Sequence, residues 1–162
     1  MAEKNRSTAT APDVTGAEVT GIGLVRIDHV GMAVADLDAA IEHYQRVFGM
    51  RCVHVEDNLE QGVREAMMEV GPDASGGCVQ LLAPLSPSST IARFLDRSGP
   101  GVQQLAYTVV DVETAGAELR SRGVRLLYDT PRRGTAGSRI NFVHPGDAGG
   151  LLVELVEPAP AG

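Results

Sequence analysis

From Arg26 to Val34 the chain alternates and is rich in β-branched residues, a period of two that predicts a strand. Asp36 follows, and behind it Leu37, Ala40, Ile41, Tyr44 and Phe48 recur at the spacing of one helix face. The Asp side chain suits an N-cap and Gly49 a left-handed C-cap, so the spacing predicts a helix between them. Three strand-like runs come next, roughly Arg51–Glu56, Gly62–Val70 and Gly77–Ala83. The stretch PLSPSSTIARFLDRSGPG reads as a linker holding one short helix, from about Ser89 to Asp96. The order then starts again. A strand runs to Val109, a helix spans Asp111 to Arg122 with Gly123 as its stop, and strands lie near Val124–Tyr128, Ser138–Val143 and Leu151–Val156. The plan is βαβββ, twice.

The repeat extends to individual residues. IDHVGMAVADLDAAIEHYQRVFGM, from Ile27, matches VQQLAYTVVDVETAGAELRSRGVR, from Val102, when Asp36 is laid on Asp111. That offset of 75 (111 − 36) places His29 opposite Gln104. The ends match as well: VQLLAP, from Val79, lies on VELVEP, from Val153, with Gln80 opposite Glu154 at an offset of 74 (154 − 80). Successive strand residues point to opposite sides. Ile27, His29, Gly31 and Ala33 therefore share one face, and Val30, Met32 and Val34 face the helix. In the second copy Val102, Gln104, Ala106 and Thr108 behave like the first set. Gln80, Glu154 and Glu65 each interrupt otherwise apolar strands. A curved sheet with its helices outside would gather these polar residues in one cavity.

His29, Gln80, Gln104 and Glu154 then offer one imidazole, two amide oxygens and one carboxylate. Such a set suits a borderline or hard divalent ion (Co²⁺, Mn²⁺, Ni²⁺, Zn²⁺ or Mg²⁺) with positions left for substrate oxygens. Taken singly, each of the four is better read as a hydrogen-bonded structural residue. Their pairwise equivalence across the repeat reverses that preference. His43 lies on the exposed side of its helix, and His54 and His144 have no counterpart in the other copy, so these three are left out.

Composition narrows the class. With 162 residues, 43% of them hydrophobic, the chain suits a single α+β domain over 22–158. Its modules are 26–84 and 101–158, joined by a linker over 85–100, with tails at 1–21 and 159–162. A net charge of −7 argues against a nucleic-acid partner, and no apolar run is long enough to span a membrane. The first residues lack the pattern of an export signal, so the expected setting is the cytoplasm. Cys52 and Cys78 are expected as reduced, packed hydrophobes.

These residues resemble the vicinal oxygen chelate (glyoxalase-like) superfamily, and within it the methylmalonyl-CoA epimerase family. The runs that carry the resemblance are IDHVGMAV, EQGVREAM, VQLLAPLSPSSTIARFLDRSGPG, GVRLLYDTPRRGTAGSRINFVHP and GGLLVELVEP, which together span roughly Ile27 to Pro158. The resemblance implies tandem βαβββ modules forming a curved mixed sheet around a metal site, with Co²⁺ the expected ion. It carries the metal ligands onto His29, Gln80, Gln104 and Glu154, the same four that the repeat selects. It carries the catalytic glutamate of EQGVREAM onto Glu65. Where the epimerases have a His-His pair, this chain has Gln103-Gln104. An amide oxygen is the weaker donor, so affinity should fall or the preference shift toward harder ions.

The implied reaction is epimerisation at C2 of methylmalonyl-CoA through an enolate, with Glu65 as one acid/base and Glu154 serving the opposite face while holding the ion. The expected partners are an acyl-CoA substrate and a second copy of the chain, as a homodimer. Arg132, Arg133 and Arg139 offer either an anchor for the CoA phosphates or an ordinary basic, solvated turn. A glyoxalase-type lyase and a non-catalytic ligand-binding protein of the same fold are the alternatives.

Overall fold

The computed structural model describes residues 21–73 and 75–162; the tail expected over 1–21 therefore lies, except for Gly21, outside the described residues. Strand β1 (Leu24–Ala33) leads to helix α1 (Leu37–Phe48), then β2 (Arg51–Asn58), β3 (Val63–Glu69) and β4 (Cys78–Pro84). Helix α2 (Thr90–Ser98) joins the halves. Strand β5 (Gly101–Val109), α3 (Val112–Ser121), β6 (Arg132–Arg133), β7 (Arg139–Val143) and β8 (Leu152–Glu157) complete the chain. Asp36 caps α1 by accepting from the Ala39 N–H, and Asp111 caps α3 by accepting from Thr114. Gly49 closes α1 at a φ of 66°, a conformation that costs glycine least.

The eight strands form one mixed sheet in the order β2-β3-β4-β1-β5-β8-β7-β6, the same half-order read outward from the β1/β5 seam in both directions. β1 runs parallel to β4, β5 parallel to β8, and the two modules meet where β1 and β5 pair antiparallel. This pseudo-twofold plan brings the first strand of each repeat to the middle of the sheet, where side chains from both halves can meet.

Apolar side chains settle which face each helix covers. Leu37 of α1 packs with Ala66, Met68 and Leu81, and Met32 joins them as parity predicts. Val112 and Ala115 of α3 pack with Val109, Val143 and Leu155. α2 does something different: its Ile91 packs with Ala33, Val63 and Leu82, residues of the opposite face, and closes one end of the concave side. Burial of these apolar groups is the main force holding the sheet curled against its helices.

Two details depart from the expected elements. The strand expected at Val124–Tyr128 is reduced to a bridge between Leu126 and Val143. The Asn141 side chain takes its place, accepting from the Tyr128 N–H and donating to the Tyr128 carbonyl, so the ladder cannot continue. The short strand β6 forms instead, within the expected loop. The second departure is at the seam. Ile27 and Val102, placed beside the candidate ligands by strict alternation, are 57% and 51% exposed. The cause is two of the three β-bulges between β1 and β5. Ile27 and His29 of β1 face the consecutive residues Tyr107 and Ala106, which makes Asp28 an extra residue. Gly31 and Met32 face Gln104 and Val102, which makes Gln103 an extra residue of β5.

Candidate active site

All four candidate ligands and Glu65 are buried and converge on the concave side of the sheet. His29 comes from β1, Gln80 from β4, Gln104 from β5 and Glu154 from β8, the four central strands. His29 Nε2 lies 3.1 Å from Glu154 Oε2. The Gln104 amide nitrogen lies 2.6 Å from Glu154 Oε2, 3.1 Å from Gln80 Oε1 and 3.3 Å from His29 Nε2. Gly31 makes that approach possible, because a Cβ there would stand 2.4 Å from Gln104 Cγ.

The donor types suit a divalent ion, and one separation is compatible with it. Two ligands at right angles around an ion at about 2.1 Å stand about 3 Å apart, close to the His29–Glu154 separation of 3.1 Å. Gln104 turns its NH₂ inward, donating to Gln80 and Glu154; half a turn of the amide about its last bond would present the oxygen instead. Among the described residues no three of His, Cys, Asp or Glu are placed to hold a metal ion by themselves. The donor set is a mixed one, half of it carboxamide.

His29 is held from both sides. Its Nδ1 donates to Asp28 Oδ1 at 2.8 Å, and Asp28 Oδ2 accepts from the Thr108 hydroxyl at 2.6 Å. Burial disfavours a charged imidazole, but the bonds to Asp28 and Glu154 outweigh it and raise the pKa to about 9. Asp28 was not among the residues selected from the sequence. Alternation sends it to the face opposite His29, and only the bulge brings the two side chains together.

Glu65 stands beside the four-donor cluster without belonging to it, and is 3% exposed. Its Oε1 accepts from Thr135 Oγ1 at 2.7 Å and its Oε2 from the Gln80 amide at 3.1 Å. The same Gln80 amide donates to Thr135 Oγ1 at 2.7 Å. Burial pushes the Glu65 carboxyl up to about 7, with the charges of Glu56 and Glu154 adding to it against the Thr135 bond. A carboxyl in that range exchanges protons readily at neutral pH. Thr135 is a second residue that the sequence reading did not single out; its position within PRRGTAGSR was the available signal.

Glu65, Gln80, Gln104, Glu154 and Thr135 line one cavity, which also reaches Tyr128, Phe142 and Ile91. Gly134 and Thr135, of the segment that follows β6, belong to its lining. Arg132 pairs with Glu60 at 3.2 Å, Arg133 with Glu56 at 3.5 Å, and the Ala136 N–H donates to Glu56. Arg139 pairs with Glu113 and Glu157. The arginines expected to meet phosphates are therefore spent on carboxylates here, and the first two tie the second module to the edge of the first. Of the remaining histidines, His54 pairs with Glu56 and His144 accepts from the Gly146 N–H.

Residues 28–142 match the family model of the Glyoxalase/Bleomycin resistance protein/Dioxygenase superfamily. The chain is 34% identical to the ethylmalonyl-CoA/methylmalonyl-CoA epimerase of Cereibacter sphaeroides over 80% of its length and 96% of the relative's. Its fold superposes on the crystal structure of methylmalonyl-CoA epimerase from Mycobacterium tuberculosis with a TM-score of 0.82 and 58% identity, covering 87% of this chain and 92% of that one. A methylmalonyl-CoA epimerase in complex with methylmalonyl-CoA and NH₄⁺ superposes with a TM-score of 0.80 and 46% identity, covering 85% of this chain and 97% of the other. The chain belongs to the Glyoxalase/Bleomycin resistance protein/Dioxygenase superfamily, and methylmalonyl-CoA epimerases are among its relatives there.

Proposed function

We propose that this chain is an isomerase that interconverts (2R)- and (2S)-methylmalonyl-CoA by removing the C2 proton on one face and returning one on the other. The observation that carries this reading is the pairing of Glu65 and Glu154 in one buried cavity, with Glu65 outside the four-donor cluster. Epimerisation needs a proton acceptor that is not tied up as a ligand, and the positions of Glu65, Thr135 and Gln80 supply one. The likeness to epimerases over most of the chain supports the substrate class.

His29, Gln80, Gln104 and Glu154 would hold a divalent ion, with Co²⁺ the ion we favour. Bound there, it would supply Lewis-acid stabilisation to the negative charge that develops on the thioester and carboxylate oxygens. The protein's own part is orientation and proton transfer. Thr135 and Gln80 hold both oxygens of Glu65 at the cavity wall, from which its carboxylate would take and return the C2 proton. Glu154, which also lines the cavity, would serve the other face of C2. Ile91, Leu82, Ile140 and Phe142 line the cavity with apolar surface, which keeps water from competing for the C2 proton. We further read 22–158 as one functional domain, acting as a cytoplasmic homodimer.

Incubation of (2S)-methylmalonyl-CoA in deuterated water tests this reading. Deuterium should enter C2 while the (2R) epimer accumulates. Absence of both, with folded protein and added Co²⁺, would overturn it.

A further inference from the structure

Two of the three bulges at the seam, those at Asp28 and Gln103, are at equivalent positions of the repeat. Asp28 precedes His29 and Gln103 precedes Gln104, and the extra residue of each bulge lies 75 positions from the other (103 − 28). Both bulges turn two consecutive side chains toward the cavity side, where alternation would allow one. The two halves use this differently. Asp28 spends its carboxylate on its neighbour His29 and on Thr108. Gln103 is 9% exposed and lines the same cavity as Glu65 and Glu154, yet its Oε1 has no hydrogen-bond partner among the described residues. A buried acceptor left unpaired is costly and uncommon, so a donor is expected from whatever fills the cavity.

The substrate class limits what that donor can be. Resting on the epimerase reading, the acyl end of the substrate offers only acceptors: two carboxylate oxygens, the thioester oxygen and the sulfur. The first N–H beyond the sulfur belongs to the cysteamine amide, two carbons further along the pantetheine arm. Gln103 adjoins Gln104 of the donor cluster, one residue of about 3.8 Å from it along the chain. It is therefore placed beside the reacting centre and not at the distant nucleotide end. We infer that the Gln103 side-chain oxygen accepts a hydrogen bond from the cysteamine amide N–H of the acyl-CoA, making it a specificity-determining residue that reads the arm beside the thioester.

Two truncated substrates test this. Methylmalonyl-N-acetylcysteamine keeps the amide, whereas the S-butyl thioester of methylmalonate lacks it. The parent should favour the first in kcat/KM by about 10- to 100-fold, the worth of one buried hydrogen bond. Gln103→Leu should bring the ratio near one, and Gln103→Glu, which keeps an acceptor, should restore part of it. Because the measure is a ratio within each variant, a change in folded fraction does not move it; Gln103→Met carries the test if the Leu variant does not fold. A ratio near one in the parent, or a parent-like ratio in Gln103→Leu, overturns the assignment while leaving the epimerase reading intact. Failure of the parent to turn over methylmalonyl-CoA itself sinks both.

Discussion

Asp28 Oδ1 accepts a hydrogen bond from the Nδ1 of His29, its own neighbour in the strand, at 2.8 Å. Adjacent strand residues ordinarily point apart, and the bulge at Asp28 is what allows this contact. The bond fixes the ring so that Nε2 faces Glu154 and Gln104. Carboxylate partners of this kind orient and strengthen a metal-binding imidazole. Asp28→Ala should therefore weaken Co²⁺ binding by about 10- to 100-fold, measured by calorimetry on folded protein. Affinity equal to the parent's would mean that Asp28 does not support His29 as a ligand.

Gln104 gives a second prediction. Gln104→His exchanges an amide for a stronger donor at a position that already touches His29, Gln80 and Glu154, so Co²⁺ and Zn²⁺ should bind more tightly. Gly31→Ala should do the opposite. Its new Cβ would strike the stem of Gln104 and not the movable end, displacing the side chain and costing about 1–3 kcal/mol. Equilibrium denaturation and metal titration of the two variants check both halves. Unchanged affinity in both variants would remove Gln104 from the ligand set.

Thr135 bridges Gln80 and Glu65, and so would position Glu65 as the proposed base. Thr135→Val removes the hydroxyl but keeps the shape, leaving one oxygen of a buried carboxylate without its donor. A loss of about 1–3 kcal/mol, or roughly 10- to 100-fold in kcat, should follow, with metal content unchanged and Thr135→Ser restoring most of the rate. A loss in KM alone, or no rescue by Ser, would assign Thr135 to substrate packing instead.

The sequence carried the four central strands, helices α1 and α3, and the convergence of His29, Gln80, Gln104, Glu154 and Glu65, because each rests on a local pattern or on the repeat. Period and capping place α1 and α3, and the internal repeat pairs His29 with Gln104 and Gln80 with Glu154. What it could not carry was interrupted alternation. Asp28, Gln103, Ile27 and Val102 were sorted by parity, and a bulge is a property of how two strands register, invisible in either strand alone. The lost strand at Val124–Tyr128 has a similar origin, since Asn141 competes for its backbone groups from 13 residues away. For the arginines of PRRGTAGSR the sequence left a phosphate anchor and an ordinary solvated turn both open, because their carboxylate partners Glu56, Glu60, Glu113 and Glu157 are distant in the chain.

Removing metal tests the electrostatic part of the account. Protein stripped with a chelator should lose epimerisation and recover it on addition of Co²⁺, since the enolate charge otherwise lacks its main stabilisation. His29→Ala should lower metal content more than Gln104→Ala, because imidazole is the stronger donor. Full activity in stripped protein, verified metal-free by mass spectrometry, would contradict the Lewis-acid role.

The central claim is that Glu65 moves the proton and the four-donor cluster does not depend on it. Glu65→Gln tests it most directly, because the amide keeps the size and lets Thr135 and Gln80 remain in place while abolishing proton acceptance. Deuterium exchange at C2 should be followed from each epimer of methylmalonyl-CoA separately, alongside metal content. The account predicts normal metal content and a rate of epimerisation lower by about two to four orders of magnitude. Exchange should nearly vanish from one epimer and survive from the other on the remaining base. Near-parent turnover, or loss of the metal together with the rate, would contradict it.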